Sequence, residues 1–265
     1  MYIYYDRPLT ALRFPRNEEP AILPPSQLRY WHNHVQGLEQ SMPDPLAGLK
    51  ESPRMQRRLK EALDQMGQSS DPNEQMAATE ILNGRYVVAF PPFLIDKSQK
   101  DEPVSLDTAI TRLQNSKTPG QPKANIYIFP HSQLDAYGKP LPGQVGTQLP
   151  GLNANAVTFA TAGDRHIYLL RSDLGFNTQK LKMTLLHEAF HLRYPLPRGY
   201  SSRDKFIVEL RAYYYAEYRD VKDLTRRFEL AARSAAKDSG DIAIDGPDFA
   251  ARVANRSHWL QQTAL

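Results

Sequence analysis

Cysteine is absent from the 265-residue chain, which excludes disulfides, thiolate metal sites and cysteine nucleophiles together. No apolar run approaches the ~20 residues that a membrane-spanning helix needs. The opening MYIYYDRPLTALRF carries Asp6, Arg7 and Pro8 where a signal peptide requires unbroken apolar sequence. A cytoplasmic protein, or one exported without a cleaved leader, is therefore expected. No Gly-Lys-Ser/Thr closes a phosphate loop, and no Gly-x-Ser-x-Gly elbow marks a serine hydrolase. Charge of one sign is not in large excess, the net value being +4. The densest basic stretch, RMQRRLKEAL (54–63), reads as the wet face of a helix. No recognition motif accompanies it, so no nucleic-acid partner is expected.

Proline is scarce in one region only. Of 21 prolines, 20 precede residue 198, and Pro247 alone follows it. Strands, short helices and turns are expected before that point and mostly helix after it. With 41% apolar and 23% charged residues, the chain can bury a substantial core.

Helical spacing marks SQLRYWHNHVQGLEQ (26–40), SPRMQRRLKEALDQM (52–66) and SLDTAITRLQ (105–114). RYVVAF (85–90), NIYIF (125–129), AVTFAT (156–161) and HIYLL (166–170) read as strands, the last two joined by an AGDR turn. Residues 131–153 read as a long connection, and the first 25 as an extended proline-rich arm. His32 and His34, two apart on a helix, point different ways and do not make a joint metal site. His131 and His258 read as surface residues.

The chemistry concentrates in TLLHEAFHLRYP (184–195). Asn177 or Thr178 can cap a helix that Pro195 stops. On it His187 and His191 lie one turn apart on a single face, so both imidazoles can meet one zinc ion at ~2.0–2.1 Å. Glu188, beside the pair, can reach a water at the metal without being a ligand, the arrangement of a general base. Leu181, Met183, Leu185, Leu186 and Phe190 supply apolar surface to bury such a helix.

These residues, with the preceding strands, resemble the zincin metallopeptidases over about residues 120–220. The metzincin branch is excluded, since it needs Gly at 194 and His at 197, where Tyr194 and Pro197 stand. The resemblance implies an α+β fold: a small mixed or antiparallel sheet of about four strands packed on the active-site helix, with a mostly helical C-terminal third. It also implies a Zn2+ cofactor and, as in the glutamate-zincin branch, a third ligand from a later helix. Glu209, in the Glu-x-x-Ala pattern at 209–212, fills that place, with Asp204, Glu217 and Glu229 as rivals. Ala212 and Ala216 on its face would let the two helices approach closely. Where the best-known members carry an aspartate four residues after the glutamate, this chain has Tyr213. Tyr213, Tyr194, Tyr200, Arg203 and His166 are candidate donors to a transition-state oxyanion, Tyr213 being the one assigned.

The expected organisation is a proline-rich arm and first helix at 1–50, packed on a single zincin-like domain at 51–265. The expected activity is zinc-dependent peptide hydrolysis on a protein or peptide substrate, with the HIYLL strand as the edge that receives it. A domain without cysteine or leader also resembles bacterial metallopeptidase toxins and effectors, which implies a secretion-system or immunity partner. A regulatory peptidase of mobile elements and a non-catalytic protein of zincin shape are the alternatives.

Overall fold

A computed structural model describes residue 49 and residues 52–149, 154–160, 163–171, 177–197, 199–244 and 246–263. All of these fall within the unit Pro43–Leu265. The expected arm and first helix, with His32 and His34, lie outside the described residues. The fold is mixed α+β.

Helix α1 (Pro53–Gly67) starts on a proline at its first position and buries Met55, Leu59, Ala62, Leu63 and Met66 along one stripe. Its opposite face leaves Arg54, Arg57 and Lys60 in solvent, and Arg58 pairs with Glu61 at 2.6 Å. The basic stretch is thus the outer side of a packed helix. Helix α2 (Pro72–Leu82) was not expected, although Asp71 caps it through the Asn73 amide and Pro72 occupies its first position. Its buried positions include Glu74 and Glu80, which breaks the apolar periodicity that sequence patterning relies on. Glu74 is held by Arg219 at 2.6 Å and Lys182 at 3.4 Å.

Among the described residues seven strands form two sheets, not the single sheet of about four strands expected. The first is mixed: β1 (Val87–Ala89) runs parallel to β7 (His166–Leu169), which pairs antiparallel with β6 (Ala156–Thr158). The second is antiparallel, in the order β3 (Glu102–Pro103), β2 (Phe93–Asp96), β4 (Ile126–Phe129), β5 (Thr147–Gln148). Strand β2 follows Pro91 and Pro92, and it draws β4 away from the sheet that carries β7. Asp96 fixes this second sheet by accepting from Ser98 N, Ser98 Oγ, Asn125 N and Arg112 Nη1 at 2.6–3.2 Å. Helix α3 (Leu106–Asn115), capped by Ser105, supplies that arginine.

The expectation that HIYLL forms an edge is overturned. β7 lies in the centre, and its Ile167, Tyr168 and Leu169 are fully buried. A strand apolar on both faces is a central one. β6 is the strand beside it, paired with β7 alone among the described residues. The pleat divides the core: Val88, Ala156, Ile167 and Leu169 pack with α1, α2 and α4 (Thr178–Arg193), whereas Ala89, Val157, Tyr168 and Leu170 pack with β4 and α3. After α4 come α5 (Ser202–Ala212), a π-turn (Tyr213–Glu217), α6 (Leu224–Ser239), α7 (Pro247–Ala254) and α8 (Arg256–Thr263). The helical C-terminal third agrees with the proline distribution. Its own core joins Phe206, Leu210, Phe228, Ala232, Phe249 and Trp259. Among the described residues no helix is long and apolar enough to cross a membrane.

Candidate metal centre

Helix α4 begins where the Asn177 side chain accepts from the Lys180 amide at 2.9 Å. Every residue from Thr184 to Phe190 is buried, because α1, α2 and the β1–β7–β6 sheet cover the helix. His187 and His191, one turn apart, bring their Nε2 atoms to 3.0 Å. Helix α5 enters through a capping box, in which Ser201 and Asp204 satisfy each other's backbone amides. From it Glu209 places Oε2 3.8 Å from His187 Nε2 and 3.5 Å from His191 Nε2. Among the described residues, these three are the His, Cys, Asp or Glu group that could hold a metal ion.

The spacing can be compared with what an ion would ask for. Ligands at ~2.0–2.1 Å on tetrahedral corners are ~3.3–3.4 Å apart. The three separations, 3.0, 3.5 and 3.8 Å, bracket that value. The donor set, two imidazole nitrogens and one carboxylate, is one that zinc accepts. Three carboxylates, of Glu188, Glu209 and Glu217, lie near the His187 imidazole. Burial disfavours a charged His187, but Glu217, Glu188 and Glu209 outweigh it and push its pKa up to about 9. Burial likewise works against an ionised Glu209, yet the charge and hydrogen bond of His191 hold its pKa down at about 2.

Glu188 lies on α4 near Thr158 of β6. It is 7% exposed. Burial pushes its carboxyl above the usual carboxylate range, against the pull of both histidines. The rival third ligands are engaged elsewhere. Asp204 closes the capping box of α5, Glu229 pairs with Arg226 and Arg233 on α6, and Glu217 approaches His187 from the Nδ1 side at 3.3 Å.

The candidate oxyanion donors are not gathered at the cluster. The Tyr213 ring meets His187 edge-on at 4.8 Å, but its hydroxyl donates to Asp238 at 2.5 Å. Tyr194 stacks on Phe190 beneath the Arg211 guanidinium, Arg203 lies over Trp259, and Tyr200 is exposed. His166 shares the β7 face of Tyr168, the face turned away from α4.

Ala212 and Ala216 are fully buried in the core that contains Leu181, Leu185 and Ala189 of α4. Small side chains there set the approach that carries Glu209 to the histidines. Ala212→Leu is expected to cost about 1–3 kcal/mol of stability through overpacking. It should also weaken zinc binding, readable by thermal melts with and without the ion.

Sequence reasoning missed a second polar cluster. Asp164, buried, accepts from His166 N at 2.7 Å, His166 Nδ1 at 2.6 Å, Tyr168 Oη at 2.8 Å and Ser132 N at 3.3 Å. His131, exposed as its reading as a surface residue expects, stacks on His166 at 4.3 Å and bonds the Tyr168 hydroxyl through its own amide and Nδ1. The cluster pins the start of the long connection to the sheet. Burial alone would raise the Asp164 pKa, but the hydrogen bond and charge of His166, with the other donors, hold it below the usual range. A carboxylate with a depressed folded pKa stabilises the fold above its unfolded value of about 3.9, and that contribution disappears as pH falls through the folded value. Asp164→Asn is therefore expected to lower unfolding free energy by about 1–3 kcal/mol at neutral pH. The gap between wild type and variant should close in acid, as followed by denaturant melts across pH.

No family model, curated protein or solved structure matches the chain.

Proposed function

We infer that the chain is a zinc-dependent metallopeptidase of zincin type, acting on protein or peptide substrates. His187, His191 and Glu209 are the ligands and Glu188 is the general base. The observation that carries this reading is the convergence of the three ligand atoms within 4.8 Å of one another on two adjacent helices, with a buried carboxylate one residue after the first histidine.

A bound zinc ion supplies Lewis acidity, polarising a carbonyl and acidifying water beside it. Glu188 takes a proton from the attacking water and delivers it to the leaving amine. A carboxylate buried beside the ligand histidines is placed to take up that proton and return it. With three protein ligands, a fourth position is left for water or substrate, as in catalytic sites. Among the described residues β6 pairs with β7 alone, and its other side offers main-chain groups to which an extended peptide can add.

The same two-histidine, one-carboxylate set also suits non-haem iron, so the metal's identity decides the chemistry. The test incubates the zinc-loaded protein with a quenched-fluorescence peptide library. Hydrolysis that a chelator abolishes and zinc restores supports the reading. A protein that retains iron in place of zinc, or cleaves nothing when fully loaded, contradicts it.

A further inference from the structure

We propose that Glu217 is the positioning residue that fixes the His187 ring, and that the π-turn of Tyr213–Glu217 is what delivers it there. This rests on the metallopeptidase reading. In an unbroken α-helix each residue turns ~100°, so a residue eight places after Glu209 would stand ~80° around the axis from it. The Tyr218 amide, however, bonds the Tyr213 carbonyl five residues back, at 3.0 Å. That widened turn holds one extra residue. The insertion subtracts ~100°, and Glu217 takes the azimuth of a seventh residue, within ~20° of Glu209. Both carboxylates then face α4 from one side. The exit of the turn is secured by Arg219, which grips the buried Glu74 of α2 at 2.6 Å.

The need for such a group is visible at His187. Its Nε2 faces His191 and Glu209, so Nε2 is the ligating atom and the ring proton of the neutral imidazole must sit on Nδ1. That Nδ1 is buried and has no aligned hydrogen bond, while Glu217 Oε1 stands 3.3 Å away. A carboxylate on the far nitrogen of a metal-binding histidine selects its tautomer and raises its basicity. Tyr213, one helical turn after Glu209, meets the same ring with an aromatic edge. Glu217 does the work from one turn further on.

The test measures zinc affinity by chelator competition for wild type, Glu217→Ala and Glu217→Gln, with zinc-free melting curves and the imidazole N–H signals of the loaded protein. In Glu217→Ala affinity should fall about 10–100-fold. Glu217→Gln, which keeps an acceptor oxygen, should recover part of it. The Nδ1–H resonance of His187 should shift in both, and the zinc-free melting curves separate a loss of fold from a loss of affinity. Glu217→Ala binding zinc as tightly as wild type, with an unmoved Nδ1–H resonance, overturns the role of Glu217 and leaves the metal reading standing. A wild type that binds no zinc overturns both.

Discussion

Glu188→Gln is expected to lower peptide turnover by about 10²–10⁴-fold while the chain still binds one zinc ion. Glutamine keeps the shape of the buried side chain, so the packing of α4 survives. What disappears is the ability to take up a proton. Glu188 is not among the three residues that could hold the ion, and its loss leaves His187, His191 and Glu209 in place. The separation of effects is the point: a structural carboxylate would change melting temperature and leave turnover alone, whereas a general base does the reverse. Zinc content and steady-state rates measured on one preparation distinguish the two.

Glu209→Ala is expected to weaken zinc binding by more than the ~100-fold that loss of an outer partner can cost. Two imidazoles one helical turn apart would then hold the ion without a third protein ligand. Removing the carboxylate also leaves the buried, charge-prone His187 with one fewer counter-charge. The rivals provide internal controls. Asp204→Ala should cost the α5 cap about 1 kcal/mol and leave zinc affinity unchanged. Glu229→Ala breaks exposed pairs with Arg226 and Arg233 and should alter neither by much. Calorimetric zinc titration of the three variants ranks them. A chain in which Glu229→Ala or Asp204→Ala loses the ion in place of Glu209→Ala would reassign the third ligand.

The helix carrying the two histidines was legible because its signals are local. Asn177 caps it, Pro195 ends it, and the apolar residues between them have no breaker. Glu209 was singled out by the Glu-x-x-Ala resemblance, with Asp204, Glu217 and Glu229 as rivals, and it is the one of these that joins His187 and His191 in a group that could hold a metal ion. What escaped detection depends on distance in space. Helix α2 hides because its buried face carries Glu74 and Glu80, which are neutralised by Arg219, Lys182, Arg85 and Arg193 from other parts of the chain. The split into two sheets follows from β2 pairing with β4 about 30 residues on, a choice that alternation cannot express. The place of Glu217 at His187 depends on one extra residue in a turn, which counting by 3.6 does not supply. The Asp164 cluster joins His131 to His166 across 35 positions, so neither histidine signals the other.

The most direct measurement is the zinc K-edge X-ray absorption spectrum of the purified, zinc-loaded chain. Two imidazole nitrogens and carboxylate or water oxygens at ~2.0–2.2 Å are predicted, at one zinc per chain. A chain that holds no stoichiometric zinc, or a coordination shell without imidazole scattering, would contradict the account.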